Sequence, residues 1–324
     1  MMTRKIPFST LDVFTNRPFI GNQLGVVRVP ADTSLSQVQR AAIAREFNLS
    51  ETIFVNEPVD AGDGSVVIVP INIHLRGGGE IPFAGHPTVG GGYYNARRFP
   101  GREIVLRTLA GDMPVTRILD ANGNLTGTRV GVAVDFMDHG PLETPRLAEL
   151  QPDLTADDYV QRTAKGSDAE VDIYPTASIV KGMTFVLLEL ASVDALGRMN
   201  VFPTRVRPAH GALGDWEGLV GVYAFVRLGE EGNTIKLRTR MMIGPSEDPA
   251  TGSAASTLAG WLGKQKGPGS WNIRITQGVE MGRRSEIEVN VKIADSGEIE
   301  SIQLGGSVCE VMEGNIVAPE EVTR

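Results

Sequence analysis

Two short turns in this sequence carry residue types that proton-transfer chemistry needs. The first, EIPFAGHPTVGGG, runs from Glu80 to Gly92, and the second, EDPATGSAASTLAG, from Glu247 to Gly260. Each combines an acid, a proline and a small-Gly-polar turn with a run of small residues that predicts a helix start. Glycine lets the backbone approach a ligand closely, and helix N-termini attract anions. We therefore expect the two turns together to hold a small anion such as a carboxylate.

Three protonatable side chains accompany these junctions: Glu51, His86 and Asp248. A buried glutamate with a raised pKa can remove or donate a proton, and a nearby Asp or His can hold it or relay the proton. Each residue also has an ordinary structural interpretation. Glu51 suits a surface acid, His86 a core histidine bonded to carbonyls, and Asp248 a helix N-cap or turn acid. Ser253 equally suits an N-cap, and neither a GxSxG motif nor a downstream histidine supports a serine nucleophile.

The sequence patterns of nucleotide-binding, metal and thiol-based sites are absent. The glycines at 90–92 do not belong to a phosphate loop, because GxxxxGK[ST] is absent and no GxGxxG follows a strand with an acid about 20 residues on. The 4 histidines are spread singly, without metal-ligand spacing. The single cysteine, Cys309, excludes an internal disulfide, a cysteine-based zinc site and a mechanism that needs two thiols. We expect neither a metal nor a cofactor.

The elements that must position these residues are strands alternating with short helices. Thr33 to Phe47 places its apolar residues on one helical face, with Ser34 or Ser36 as the cap, and a helix is predicted from Pro87 to Phe99. The second turn has its own predicted helix, at 252–264. Residues 138–165 are polar and predict only a short helix after Thr155. Separate strands are predicted at 301–304 and 307–313, so the fold class is α+β in two similar halves.

Length and composition limit the classes of protein. A chain of 324 residues favours two domains of about 150 residues. We place them at 1–125 and 126–324, with the final strands as candidates to cross back to the first half. A net charge of -8 argues against a nucleic-acid surface, and no apolar run approaches the roughly 18 residues of a membrane span. No secretory signal is visible, so a cytoplasmic location is expected.

Four ordered motifs resemble those of the PhzF-like isomerases of the phenazine-biosynthesis family. They are LDVFTNRPFIGNQLGVV at 11–27, AREFNLSETIFV at 44–55, EIPFAGHPTVGGG at 80–92 and EDPATGSAAS at 247–256. Residues 138–215 carry no matching motif. The resemblance implies the fold of diaminopimelate epimerase, with two pseudo-symmetric halves, each a barrel-like sheet around a central helix, and the site in the cleft between them. It also implies a homodimer.

The resemblance further implies a cofactor-free isomerisation of a small carboxylate-bearing metabolite, with Glu51 as the proton shuttle. By motif position His86, Asp248 and Ser253 are its other catalytic residues. The implied substrate contacts are Asn22, Ser50, Gly85 and Gly252. Asn22 lies in GNQ, where the family more often has GNP. Ala84 and Thr251 stand where related epimerases carry thiols, so two-thiol chemistry is not expected.

Two alternative functions are open at this point. One is a racemase or epimerase that uses Glu51 and Asp248 instead of thiols. The other is a non-catalytic member of the fold that binds a small acid or a protein partner, because one fold hosts many functions. The intact set of polar site residues argues against the second alternative.

Overall fold

A computed structural model describes residues 4–60, 64–147, 149–160, 163–164 and 171–320. The chain divides into two compact units. Unit 1 comprises Met1–Gly131 and Leu304–Arg324, and unit 2 comprises Val132–Gln303. The domain boundary at residues 125 and 126 stays a prediction. None of the helices in the described ranges is long and apolar enough to cross a membrane.

Within the described residues the chain forms four α-helices and nineteen strands. The helices are α1 (Gln37–Phe47), α2 (Gly85–Arg98), α3 (Val193–Arg198) and α4 (Gly252–Lys266). The first strands are β1 (Lys5–Val13), β2 (Asn22–Arg28), β3 (Glu51–Val55), β4 (Val59–Asp60), β5 (Val66–Leu75), β6 (Glu80–Ile81), β7 (Glu103–Thr108), β8 (Gly111–Leu119) and β9 (Leu125–Gly131). The later strands are β10 (Met137–Pro145), β11 (Thr163–Ala164), β12 (Val171–Val180), β13 (Met183–Glu189), β14 (Leu219–Glu231), β15 (Thr234–Ile243), β16 (Ser246–Asp248), β17 (Gly269–Gln277), β18 (Ser285–Ile293) and β19 (Ile299–Val317).

Unit 1 is a closed barrel of eight strands around α2. The strands pair in the order β19, β1, β2, β3, β5, β7, β8 and β9, and β9 pairs with β19 to close the ring. Helix α2 has no side chain at several positions where it packs against the surrounding strands. A Cβ atom on Gly90 would lie 2.5 Å from Leu24 Cδ2, and one on Gly91 would lie 3.0 Å from Ile53 Cδ1. The glycine run therefore serves close helix–sheet packing.

In unit 2 a second set of strands packs around α4. Its strands pair in the order β10, β12, β13, β14, β15, β17 and β18. Helix α4 is again made of small residues where it meets the sheet. A Cβ on Gly260 would lie 3.0 Å from the Phe136 ring, and one on Gly263 would lie 3.0 Å from Val291 Cγ1.

The two units repeat one order of elements. In unit 1 the long strand β5 pairs antiparallel with the short β6, which leads into α2, and the following β7 runs parallel to β5. In unit 2 the long β15 pairs antiparallel with the short β16, which leads into α4, and β17 runs parallel to β15. This duplication confirms the predicted α+β fold class.

Several predicted segments differ in the structure. Helix α1 begins at Gln37 because Ser36 and Gln39 form a reciprocal capping box, and α2 begins two residues before Pro87. The polar segment 138–165 contains β10, which pairs with β12. The short helix after Thr155 is a 3-10 turn over Ala156–Asp158, and its predicted continuation at 161–162 lies outside the described residues.

The C-terminal strand corrects another prediction. Strands at 301–304 and 307–313 are expected to be separate, but β19 runs unbroken from Ile299 to Val317. The glycines at 305 and 306 do not form a turn. They let two backbones pass closely, since a Cβ on Gly305 would lie 2.8 Å from the Thr128 carbonyl oxygen.

Candidate active site

The start of α2 is shaped by β6 and by the residue that caps the helix. Strand β6 pairs Glu80 with His74 at the end of β5 and so fixes where the chain turns inward. Ala84 is the N-cap residue in an extended conformation, and no side-chain hydrogen bond caps the helix. Helix N-H groups at this position carry partial positive charge. The structure thus places Gly85 and His86 on the first turn of a helix suited to an anion.

Glu51 lies at the first position of β3 and is largely buried. Its side chain is 17% exposed, and its Oε2 atom accepts no hydrogen bond from the described residues. Burial raises the pKa of Glu51, while a hydrogen bond with Ser50 and the positive charge of Arg76 oppose that rise. Burial disfavours the charged carboxylate, so this group is a stronger base than an exposed glutamate.

His86 lies between Glu51 and Asn22. The Nε2 atom of His86 lies 3.7 Å from Glu51 Oε2, and its Nδ1 atom lies 3.3 Å from Asn22 Nδ2. An amide nitrogen donates and cannot accept, so Nδ1 accepts and the ring proton of neutral His86 lies on Nε2. The histidine therefore turns an N-H toward the Glu51 carboxylate, and Asn22 sets that tautomer.

The structure thus brings five of the predicted site residues together in unit 1: Asn22, Ser50, Glu51, Gly85 and His86. Asn22 begins β2, Glu51 begins β3 and His86 opens α2. Strands β2 and β3 run parallel as neighbours, which places both strand beginnings at one end of the barrel. Separate segments of the chain therefore converge there through the sheet topology.

The second turn is built around Asp248. Thr251 Oγ1 donates to Asp248 Oδ2 at 2.7 Å, and the Ala250 N-H donates to Asp248 Oδ1 at 3.3 Å. Thr251 is the N-cap residue of α4, followed by Gly252 and the half-buried Ser253. Asp248 therefore holds the turn that carries Gly252 and Ser253, in agreement with the turn-acid interpretation.

A buried hydrogen-bond network around Gln277 holds this turn in place, and no sequence motif predicts it. Gln277 Nε2 donates to the Asp248 carbonyl at 2.8 Å and to Thr251 Oγ1 at 3.1 Å, and Gln277 Oε1 accepts from Tyr223 Oη at 3.0 Å. Because the Thr251 hydroxyl accepts from Gln277, its own proton is directed to Asp248. Burial raises the pKa of Tyr223 well above its ordinary value, so the phenol stays a donor. Gln277 is the last residue of β17, a strand of mixed polar and apolar residues, and no local pattern sets it apart.

An ion pair holds the strand before the turn. Arg240 Nε and Nη2 donate to the two carboxylate oxygens of Glu247 at 2.9 and 2.7 Å, and both side chains are buried. Arg240 Nη1 also donates to the carbonyl oxygens of Leu196 and Met199. A two-point arginine–carboxylate contact fixes orientation as well as distance. Glu247, the acid that opens the second motif, is therefore a structural residue.

The single thiol lies outside both turns, as the sequence indicates. Cys309 is on β19, where it pairs with Asp12 of β1. Burial and the carboxylates of Asp12 and Glu310 raise the pKa of Cys309. A thiol with a raised pKa holds little thiolate at neutral pH and is a weak nucleophile. Ala84 and Thr251 are the N-cap residues of α2 and α4, so neither helix start carries a thiol.

The duplicated fold, with a carboxylate at a strand start that faces a histidine on the first turn of a helix, defines a class of isomerases and epimerases. Residues 11–314 match the family described as phenazine biosynthesis-like protein, and the chain belongs to that family. A Pseudomonas aeruginosa trans-2,3-dihydro-3-hydroxyanthranilate isomerase is 29% identical over 95% of this chain and 98% of its own. An uncharacterized isomerase of Mesorhizobium japonicum is also 29% identical, over 98% and 99%. The predicted enzyme class, an isomerase, is confirmed.

Solved structures agree on the fold. A PhzF-family phenazine biosynthesis protein of Bacillus anthracis has a TM-score of 0.71 at 20% identity, covering 97% of this chain and 99% of that one. A hydroxyproline epimerase of Agrobacterium vitis has a TM-score of 0.55 at 14% identity, covering 99% and 95%. The predicted epimerase-like fold is confirmed.

Proposed function

We propose that this enzyme is a cofactor-independent isomerase of a small carboxylate-bearing metabolite, with Glu51 as the group that moves the proton. The observation that carries the proposal is the buried Glu51 carboxylate facing the Nε2 atom of His86 at 3.7 Å. Burial makes the carboxylate a stronger base, which helps it to accept a proton from carbon, and the protonated acid can then return that proton to another carbon.

The proposed reaction conserves the composition of the substrate. Glu51 removes a proton from a carbon that an adjacent double bond or carbonyl group makes acidic. The electron pair moves through the conjugated system, and protonated Glu51 then donates its proton to a different carbon of the same molecule. His86 Nε2-H steadies the carboxylate during both transfers. The N-H groups at the start of α2 favour the substrate carboxylate.

The substrate class follows from the named relatives as a proposal. The Pseudomonas aeruginosa relative is named for trans-2,3-dihydro-3-hydroxyanthranilate, an unsaturated ring that bears a carboxylate. We extend to this chain only that chemistry: a carboxylate attached to a conjugated carbon skeleton. Asp248 and Ser253 stay predicted participants in the same reaction. Asp248→Asn and Ser253→Ala are expected to lower kcat/KM of the isomerisation and leave the folded state intact.

The deciding experiment is proton exchange in heavy water. The enzyme is incubated with trans-2,3-dihydro-3-hydroxyanthranilate and with a pool of unsaturated carboxylic acids, and deuterium incorporation is located by NMR and mass spectrometry. We expect deuterium at a new C-H position, and a loss of about 10² to 10⁴-fold in Glu51→Gln, which cannot accept the proton. Glu51→Asp is the matched control that keeps a carboxylate. Undiminished exchange in Glu51→Gln would refute the assignment of Glu51 as the proton carrier. Deuterium at a stereocentre of the substrate whose configuration inverts would identify an epimerase.

A further inference from the structure

One histidine of unit 1 is buried without a hydrogen-bond partner in the part of the chain that the structure describes. His74 lies at the end of β5, is fully buried and has both ring nitrogens unpartnered there. Side chains alternate along a strand and Ile71 faces Gly91 of α2, so His74 lies on the outer face of the barrel, where α1 packs. Buried polar groups are normally hydrogen-bonded, so this histidine requires an explanation.

Two neighbouring side chains share this condition. Thr52, directly opposite His74 on β3, and Arg40 on α1 each have a buried polar atom, Oγ1 and Nε, that makes no hydrogen bond to a described residue. The positive charge of Arg40 already acts on the ring. A neutral ring suits this environment, whereas a protonated ring adds a second positive charge that is removed from water.

Charged groups on two elements act on the His74 ring in opposite senses. Arg40, on α1, favours the neutral ring, and Glu80, on β6, favours the protonated ring. Glu80 pairs with His74 across the strands, and its Oε1 atom accepts from Asn72 Nδ2 at 2.7 Å. Burial acts in the same direction as Arg40, so the pKa of His74 is lowered below 6.5 and the ring is neutral at pH 7. On this face β3 presents the uncharged Thr52 and Phe54, and the other charged residues of the adjoining segments are exposed: Arg45, Glu46 and Arg76.

The end of β5 is the common neighbour of the two elements that carry the site. His74 pairs with Thr52 of β3 on one side and with Glu80 of β6 on the other. Glu51 directly precedes Thr52, and β6 leads into α2, which carries His86. A displacement of the end of β5 therefore changes the distance of 3.7 Å between Glu51 Oε2 and His86 Nε2.

We propose that His74 is a positioning residue whose neutral ring keeps β3 and β6 in the register that holds His86 against Glu51, and whose protonation disturbs that register. The charged ring is attracted by Glu80 and repelled by Arg40, so the ends of β5 and β6 move relative to α1. The isomerisation then falls at acidic pH for a reason other than protonation of Glu51. This inference rests on the proposed function and adds a second ionisation to the acid side of its pH profile.

The first test follows the histidine rings by NMR between pH 8 and 5. We expect the His86 ring signals to contain a component with the midpoint of the His74 titration, and this component to be absent in His74→Phe, which keeps the aromatic packing on Phe54. In the same variant the acid limb of kcat/KM for the isomerisation should become less steep, from about two protons toward one. Circular dichroism identifies the pH range in which both proteins are folded.

The second test changes the charges and keeps the histidine. Glu80→Gln, which retains an acceptor for Asn72, should move the shared component to lower pH, and Arg40→Gln should move it to higher pH, each by about 0.5 to 1 pH unit. These variants also decide the proposal if His74→Phe does not fold. The matched control is His139→Phe, which removes a half-buried histidine from β10 of unit 2. It should leave the His86 component and the steepness of the acid limb unchanged.

Other outcomes overturn the proposal. A His86 titration that is the same in His74→Phe, or charge variants that move the shared component in the same direction, would refute the coupling. Loss of the component with an unchanged acid limb would reduce it to the electric field of the His74 ring and refute the positioning role. Failure of the proposed function is separately visible as undiminished heavy-water exchange in Glu51→Gln, because the NMR coupling needs no substrate.

Discussion

The Nε2 atom of His86 faces Glu51 Oε2 at 3.7 Å, while the Nδ1 atom of the same ring faces the amide nitrogen of Asn22 at 3.3 Å. Asn22, on β2, thereby determines that the ring proton of His86, on α2, lies on Nε2. That proton faces Glu51, at the start of β3. Different substitutions at position 22 separate this effect on the His86 ring proton from mere loss of the contact between Asn22 and His86.

Asn22→Asp should protonate both nitrogens of the His86 ring. The new carboxylate accepts from Nδ1 while the Glu51 carboxylate still faces Nε2, so the two negative charges favour the doubly protonated cation. The positive ring lowers the proton affinity of Glu51, so we expect kcat of the proton exchange to fall by about 10²-fold, and by less in Asn22→Ala, which removes the amide without adding a charge. Nitrogen-15 NMR of the His86 ring reports its protonation directly. A neutral His86 ring in Asn22→Asp at neutral pH would contradict the arrangement.

The raised pKa of Glu51 should appear in both activity and stability. If the carboxylate is the base, kcat/KM rises with pH through a value above the ordinary 4.5 of a glutamate. For stability, a raised pKa means that the native state binds the extra proton. Its contribution is complete below pH 4.5 and is lost as pH rises through the raised pKa.

Glu51→Gln should therefore gain stability over the wild-type protein as pH rises from 4.5 toward neutrality. Urea unfolding at several pH values measures that difference, and each tenfold difference in proton affinity corresponds to about 1.4 kcal/mol. Glu51→Asp keeps the titrating group and is the control. A stability difference that stays constant with pH would show that Glu51 has an ordinary pKa.

His74 should make the stability of the protein depend on pH in the opposite sense to Glu51. It is fully buried on β5, its ring nitrogens have no hydrogen-bond partner among the described residues, and it packs edge-on against Phe54 at 5.1 Å. Burial lowers the pKa of His74 below 6.5; Glu80 opposes the effect and Arg40 adds to it. The unfolded state then binds a proton that the native state refuses, so stability is full above pH 6.5 and is lost as pH falls below it.

His74→Phe should remove the loss of stability that His74 causes at acidic pH. The wild-type protein is expected to lose stability relative to the variant between pH 7 and 5, measured as the difference in urea midpoint at fixed m-value. Groups that titrate in both proteins cancel in the difference. Parallel curves for the two proteins over this range would mean that His74 titrates normally.

Removal of Gln277 should affect stability and turnover together. Gln277→Ala leaves the buried Tyr223 hydroxyl without its acceptor and the partly buried Asp248 carbonyl without a donor, at a loss of about 2 to 3 kcal/mol. The released Thr251 hydroxyl no longer orients Asp248, so kcat should also fall if Asp248 takes part. Arg274→Ala, an exposed residue of the same strand, is the control for both measurements. Unchanged stability in Gln277→Ala would contradict the network.

The sequence predicted well where chemistry and local pattern coincide. The turn around Gly85 and His86 and the strand start at Glu51 carry their own composition, and the structure brings them together with Asn22. The sequence could not predict contacts between distant residues that only strand pairing brings together. Gln277 reaches the turn of Asp248 from a strand 26 residues beyond Thr251, and no local pattern encodes that meeting.

The glycines of β19 show a second limit. A Gly-Gly pair is a strong turn signal in a sequence, because glycine adopts turn conformations at little steric cost. The same residue also permits two strands to approach closely, and sequence alone does not separate these uses. In this chain the second use applies, since β19 passes Gly305 and Gly306 without a break and closes the barrel against β9.

Gly127→Ala tests that closure. A Cβ at Gly127 would lie 2.1 Å from the Gly306 carbonyl oxygen and 2.7 Å from Ser307 Cα, and backbone atoms cannot rotate away as a side chain can. The two strands must separate, so we expect a loss of about 1 to 3 kcal/mol in the free energy of unfolding. Gly131→Ala is the control on the same strand, because no atom lies within 4 Å of its added Cβ. It should change stability by less than about 0.5 kcal/mol. Equal stability of the two variants would mean that β9 and β19 do not pass as closely as the closed barrel requires, and that residues 305 and 306 form the turn that their composition indicates.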